Sequence, residues 1–137
     1  MSSGSEETLV VVKPDSVRRG FVGDILTRFE RKGFAIKHLR MITMTRAQAE
    51  KFYSVHKGKP FFNELVSFIS GGPVVGVVLV GRDAVATVRR MVGATRAWES
   101  LPGTVRGDLS LGLTDNAVHA SDSAESFQHE SRVFGFE

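Results

Sequence analysis

Cysteine is absent from this chain. That excludes disulfides and cysteine-ligated metals and is compatible with a cytoplasmic location. No two of the four histidines have metal-ligand spacing, so a zinc held by the protein is not expected. Long hydrophobic runs are missing too. The longest, residues 74–80, is far too short to cross a bilayer, and the first seven residues carry no signal-peptide core. A dominant charge is also lacking: 18 Lys and Arg against 15 Asp and Glu leave a net +3, too small an excess to argue for nucleic acid. There is no internal repeat, linker or low-complexity stretch. What remains is a chain of 137 residues with 42% hydrophobic and 24% charged residues, the composition of one globular domain with a real core. Residues 1–7 read as a flexible tail and residues 8–137 as a single domain.

Residues 8–13 form a continuous, β-branched apolar run, the pattern of a strand buried on both faces. Pro14 stops it, and Asp15 or Ser16 can cap the next helix. Val22, Ile25, Leu26 and Phe29 recur at helical spacing, and Gly33 ends that helix. Residues 35–44 alternate as a second strand. Thr45 and Gln48 make a capping box for a helix reaching about Tyr53. After the basic turn His56-Lys57-Gly58-Lys59, Pro60 suits the first turn of a helix carrying Phe61, Phe62, Leu65, Val66, Phe68 and Ile69. Residues 74–80 are a third buried strand, and Asp83 caps a helix with Val85, Val88 and Val92 on one side. Ala117-Val118 is a short fourth strand, and the last helix runs from Asp122, in capping-box spacing with Glu125, to about Phe134. The order β-α-β-α-α-β-α-loop-β-α predicts an α/β (α+β) domain: one four-stranded sheet with helices packed on it, in the split β-α-β manner. The aperiodic stretch 94–115 is too long for a structureless connection in a compact domain unless it is functional.

The chemistry concentrates around His119. It falls at a strand-to-helix turn, near free helix N–H groups that favour phosphate. Neutral imidazole can accept a phosphoryl group without prior deprotonation. The alternative, a polar core histidine beside a capped helix, stays open on this segment alone. Lys13, Arg89, Thr95 and Arg106 are candidate clamps for a moving phosphoryl group; taken singly, each is better read as a solvated surface residue, and their convergence is the hypothesis. Glu130 lies between Phe127 and Phe134 on the inward stripe of the last helix. A carboxylate there is costly unless paired, and His119 is its candidate partner; a wet helix-edge position is the alternative. Tyr53 and His56 flank the basic turn and could line a pocket. His38 and His129 are structural or solvated. Any magnesium would ride on substrate phosphates and keep several waters.

Asn116-Ala117-Val118-His119-Ala120-Ser121-Asp122-Ser123 resembles the active-site signature of nucleoside diphosphate kinases. Val12-Lys13-Pro14-Asp15, His56-Lys57-Gly58-Lys59-Pro60-Phe61-Phe62, Ser70-Gly71-Gly72-Pro73-Val74, Gly93-Ala94-Thr95 and Pro102-Gly103-Thr104-Val105-Arg106-Gly107-Asp108 resemble further blocks of that family, in family order. The resemblance runs over residues 8–136 and implies a ferredoxin-like core. It also implies a ping-pong exchange in which His119 takes the γ-phosphate of a nucleoside triphosphate, usually ATP, and passes it to a nucleoside diphosphate. By the same resemblance Phe61 stacks on the base, and Lys13 and Asn116 hold the sugar 3′-hydroxyl. Tyr53, Arg89, Thr95 and Arg106 contact phosphates, and Glu130 and Ser121 orient His119. Mg²⁺ on the nucleotide, a cytoplasmic location and a dimer-based homo-oligomer, a hexamer or tetramer, are implied as well. Neither nucleic acid nor a membrane is an expected partner.

Ala120 stands where the family usually has glycine; the expectation is that the position needs a small side chain and not positive φ. Three rival readings are separable. A histidine phosphocarrier would have no use for Lys13, Phe61 and Asn116. A nucleic-acid module on a ferredoxin-like sheet would display aromatics on its strands, and the first and third strands have none. A Ser121–His119 hydrolase lacks a nucleophile elbow.

Overall fold

The computed structural model describes residues 5–136. Four strands, β1 (Ser5–Val12), β2 (Ala35–Ile42), β3 (Val74–Arg82) and β4 (Val118–Ala120), form one sheet in the order β2-β3-β1-β4. Every pairing is antiparallel. β3 lies between β1 and β2, so the first β-α-β unit is split, as the sequence predicts. The β1 run Leu9-Val10-Val11-Val12 is fully buried because both faces of the sheet are covered. On one face Val10, Val12, Val75, Val77 and Leu79 pack with Ile25 and Phe29 of α2 (Val22–Lys32) and Val88 of α5 (Ala84–Val92). On the other, Leu9, Val11, Val74 and Val78 pack with α3 (Arg46–Phe52), α4 (Phe62–Ile69) and the end of α7 (Ala124–Val133).

Local signals act largely where expected. Gly33 closes α2 with φ 119°, a conformation glycine adopts without strain. Thr45 and Gln48 form the predicted reciprocal capping box on α3. Several boundaries differ. Residues 5–7, expected in the tail, extend β1 opposite Val80, Gly81 and Arg82; the remainder of that tail, residues 1–4, lies outside the described residues. Asp15 and Ser16 do not cap a helix: they are buried inside a separate short helix, α1 (Pro14–Arg18). Asp83 sits at the head of α5 with φ 48° and caps nothing; Glu6 Oε1 accepts from the Val85 N–H instead. α4 starts at Phe62, with Pro60 in the turn before it. The stretch 94–115 carries a short helix, α6 (Val105–Leu109), whose Gly107 N–H is capped by the Thr104 hydroxyl.

Gly76, mid-β3, faces Phe134; an added Cβ would lie 2.6 Å from the ring. Phe134 anchors the end of α7, which bears Glu130. Gly76→Ala is expected to destabilise the fold by about 2 kcal/mol through overpacking, read as a lowered thermal midpoint.

Candidate active site

β4 is three residues long, yet its register decides the site. Val11 pairs with His119, and Val10 and Val12 pair with Ala120 and Val118. Val118 and Ala120 therefore point into the α2/α5 core, and the imidazole projects to the opposite face. Ala120 is buried at ordinary negative φ, so the position needs a small side chain and no special backbone, as expected. On its own face the ring meets Phe52 edge-on at 5.0 Å and Tyr53 at 6.2 Å.

Glu130, one of the few buried charged groups, settles the choice posed by its place on an apolar stripe. Its Oε1 accepts from His119 Nε2 at 2.9 Å and from the Ser121 hydroxyl at 2.7 Å. A carboxylate only accepts, so Nε2 carries the hydrogen and Nδ1 keeps the lone pair. Ser121 is fully buried and outside the cleft wall; it acts on His119 only through Glu130. The cap on α7 is Ser123, which accepts from the Ser126 N–H. Asp122 is displaced from the expected capping box because its Oδ1 accepts from the Ser126 hydroxyl at 2.6 Å. That bond holds the Asp122 carboxyl below its usual range.

The ring opens on a cleft of about 540 Å³, a volume suited to a small-molecule ligand. Lys13, Tyr53, His56, Phe61, Arg89, Thr95, Arg106, Asn116, His119 and Glu130 all line it. Residues from α3, α4, α5, α6, β4 and α7, with Lys13 just past the end of β1, thus converge on the cleft. His38 and His129 lie elsewhere: His38 stacks on Phe136, and His129 bonds the Lys51 carbonyl oxygen at 2.7 Å.

The polar network is specific. Lys13 Nζ donates to Asn116 Oδ1 at 2.8 Å and to the Thr114 carbonyl oxygen at 3.1 Å. Asn116 Nδ2 donates to the Thr95 carbonyl oxygen at 2.8 Å, which fixes the amide's orientation. Burial, then the Arg106 charge, pulls the Lys13 ammonium down to about 8. Arg106 donates to the carbonyl oxygens of Asn116, Gly93 and Val118. Burial and the neighbouring Arg89 lower it to about 10, so it remains a cation at neutral pH. Arg89 donates to the Ala120 carbonyl oxygen at 3.0 Å. Burial, reinforced by the Glu130 charge, pushes the Tyr53 phenol well up, so it stays a hydroxyl. His56 is lowered by burial, Lys59 and His119, and its Nδ1 is buried without a partner.

Phe61 is 44% exposed at the lip. Leu113, Thr114 and Glu64 also line the cleft, and the Thr114 hydroxyl donates to Glu64 Oε2 at 2.6 Å. Sequence reasoning missed all three: Leu113 and Thr114 fall in the aperiodic stretch, and Glu64 reads as an ordinary first-turn acid. Among the described residues no group of three His, Asp or Glu side chains could hold a metal, and no helix is long and apolar enough to cross a membrane.

The split β-α-β sheet and its cleft define a ferredoxin-like domain that sets a histidine, tied back by a carboxylate, before a row of cations. The family model described as nucleoside diphosphate kinase matches residues 6–137. The nucleoside diphosphate kinase of Staphylothermus marinus is 55% identical over 94% of this chain and 92% of its own length. That of Picrophilus torridus is 51% identical over 94% of each. Among solved structures, the Aquifex aeolicus enzyme superposes with a TM-score of 0.92 at 44% identity, over 95% of this chain and 94% of its own. The Halobacterium salinarum enzyme, solved in complex with CDP, gives 0.91 at 42% identity over 95% of this chain and 87% of its own. The chain belongs to the nucleoside diphosphate kinase family. Its activity is that of a nucleoside diphosphate kinase, a nucleotide-binding transferase.

Proposed function

We propose that His119 carries the phosphoryl group between nucleotides in a ping-pong exchange. Its Nδ1 lone pair attacks the γ-phosphorus of a nucleoside triphosphate, usually ATP; the bond from the γ-phosphorus to the β–γ bridging oxygen breaks, and the diphosphate leaves with the electron pair. A second diphosphate then attacks the phosphohistidine in the same cleft and regenerates Nδ1. Glu130 holds Nε2–H throughout and stabilises the positive charge that the ring acquires. The single observation behind this reading is the Nε2–Glu130 bond of 2.9 Å, which leaves Nδ1 as the basic atom of a cleft-lining ring.

Arg89, Arg106 and Thr95 contact the phosphates, with Tyr53 and His56 beside them; positioned charge is what phosphoryl transfer chiefly requires. Lys13 and Asn116 hold the sugar 3′-hydroxyl, and Ser121 positions Glu130. The chemistry of the donors suits Mg²⁺ arriving on the nucleotide, since a protein cage is lacking among the described residues. Asp122, which lines the cleft and is kept ionised by the Ser126 hydroxyl, is a side chain available to its waters. When bound, the ion neutralises phosphate charge. The CDP complex of the Halobacterium salinarum relative supports a nucleoside diphosphate as ligand here. A cytoplasmic location and a dimer-based homo-oligomer, a hexamer or tetramer, complete the proposal.

Initial rates measured against triphosphate at several fixed diphosphate concentrations test the exchange. Parallel double-reciprocal lines are expected; intersecting lines would mean direct transfer in a ternary complex.

Stacking on Phe61 is sequence-tolerant because every base has a π-face. Phe61→Ala is expected to weaken nucleotide binding on the order of 10-fold, by a similar factor for purine and pyrimidine diphosphates, measured by calorimetric titration.

Lys13 gives a pH signature. Its pKa in the fold, about 8, lies below that of an unfolded lysine, 10.5. Between these values the unfolded chain binds more protons, so the burial cost is full below about pH 8 and is relieved as pH rises. Nucleotide phosphates restore the ammonium. Apparent affinity is therefore expected to fall toward about tenfold per pH unit above pH 8, and Lys13→Met is expected to flatten that slope.

A further inference from the structure

β1 ends at Val12, and the residues just beyond it grip the two peptide groups that flank Ala117, in the segment leading to His119. The Lys13 main-chain N–H donates to the Ala117 carbonyl oxygen at 3.0 Å. From the other side, Asp15 Oδ2 accepts from the Ala117 N–H at 3.1 Å. Asp15 is buried, 7% exposed, and its Oδ1 has no hydrogen-bond partner. The bond to Ala117 is thus the direct polar contact for which the carboxylate is held inside.

Ala117 needs holding. Its φ is 77°, and besides Asp83 it is the sole non-glycine residue with positive φ among those described. The Val118 N–H donates to the Asn116 carbonyl oxygen at 2.9 Å, which closes a γ-turn of the rare, strained hand. Ala117 is fully buried, so its N–H donates to the Asp15 carboxylate and not to bulk water. Backbone strain of this kind persists only where its surroundings over-determine it.

The turn sets several groups at once. The Asn116 amide precedes it and the His119 ring comes after it. The carbonyl oxygens of Asn116 and Val118, on either side of Ala117, receive Arg106 Nε at 3.1 Å and Nη2 at 2.8 Å. A relaxation of Ala117 to negative φ would rotate these groups relative to one another.

We propose that Asp15 is a positioning residue for phosphoryl transfer: its carboxylate holds the Ala117 γ-turn and so fixes the mutual placement of His119, Asn116 and Arg106. Asp15 lies away from the cleft wall; its hydrogen-bonded link to the site runs through the backbone, and its charge also supports the Lys13 ammonium. The proposal rests on reading His119 as the nucleophile.

Asp15→Leu removes the acceptor at similar volume. It is expected to lower kcat on the order of 10- to 100-fold, as small misplacements of reacting groups do, in protein that still melts cooperatively. Adding Ala117→Gly is expected to restore about 5- to 30-fold of that loss, since glycine enters positive φ without the Cβ clash. Asp15→Asn keeps an oxygen acceptor and is expected to recover to within about 3-fold of wild type. Assays at about pH 6.5, below the wild-type Lys13 pKa of about 8, limit the part that the lost Asp15 charge plays through that ammonium. Wild-type kcat in Asp15→Leu, no gain from Ala117→Gly, or an Asp15→Asn variant as slow as Asp15→Leu would each overturn the clamp. If Asp15→Leu does not fold, the Asp15→Asn comparison decides alone: a loss of tenfold or more overturns the proposal. Wild-type protein that takes up no phosphate from a triphosphate would instead overturn the reading of His119.

Discussion

His119→Ala is expected to lower turnover by at least about 10⁴-fold, because on the proposed exchange it removes the covalent nucleophile and leaves only binding and charge stabilisation. The substitution is expected to leave the fold and nucleotide affinity nearly intact. His119 touches Phe52 and Tyr53 by ring edges, contacts worth about 1 kcal/mol each, and the Glu130 carboxylate that loses the ring keeps the Ser121 hydroxyl and gains access to the opened cleft. A calorimetric affinity within a few-fold of wild type, together with lost turnover, would separate chemistry from binding. Retained turnover would remove His119 from the reaction.

Glu130→Gln slows transfer on the order of 100-fold while leaving nucleotide affinity close to wild type. The amide can still accept from His119 Nε2 through its oxygen, so ring placement survives. What is lost is the negative charge facing an imidazole that becomes cationic when phosphorylated. The effect is therefore confined to kcat and grows as charge develops on the ring. Ser121 presents its hydroxyl to the same Oε1 and keeps the carboxylate from turning away. Unchanged kcat in Glu130→Gln would reduce Glu130 to scaffolding.

Much of this was legible in the residues alone. Strands β1 and β3 announced themselves because a sheet covered on both faces demands unbroken β-branched runs, and the α3 capping box is a purely local device. Placement made His119 and Glu130 candidates, one at a strand-to-helix turn and the other out of character on an apolar stripe, but left their bland alternatives open; the family resemblance named their roles. The failures share a cause. Asp15 and Asp122 read as caps, since a short polar residue beside a helix start most often is one. In the fold each carboxylate is taken by a tertiary or neighbouring donor, the Ala117 N–H and the Ser126 hydroxyl, and local pattern carries no trace of that competition. Glu6 capping α5 across 79 positions is equally invisible locally. Leu113 and Thr114 escaped notice because the stretch 94–115 is shaped by hydrogen bonds to distant groups and has no period of its own.

The most direct measurement is incubation of the protein with Mg²⁺ and γ-labelled ATP in the absence of acceptor, then mapping of the labelled atom. The expected result is label bound through Nδ1 of His119, stable to alkali, lost in acid and discharged at once by added nucleoside diphosphate. Label on a serine, label on Nε2, or no covalent label with transfer still running would contradict a histidine held at Nε2 by Glu130 and reactive at its opposite nitrogen.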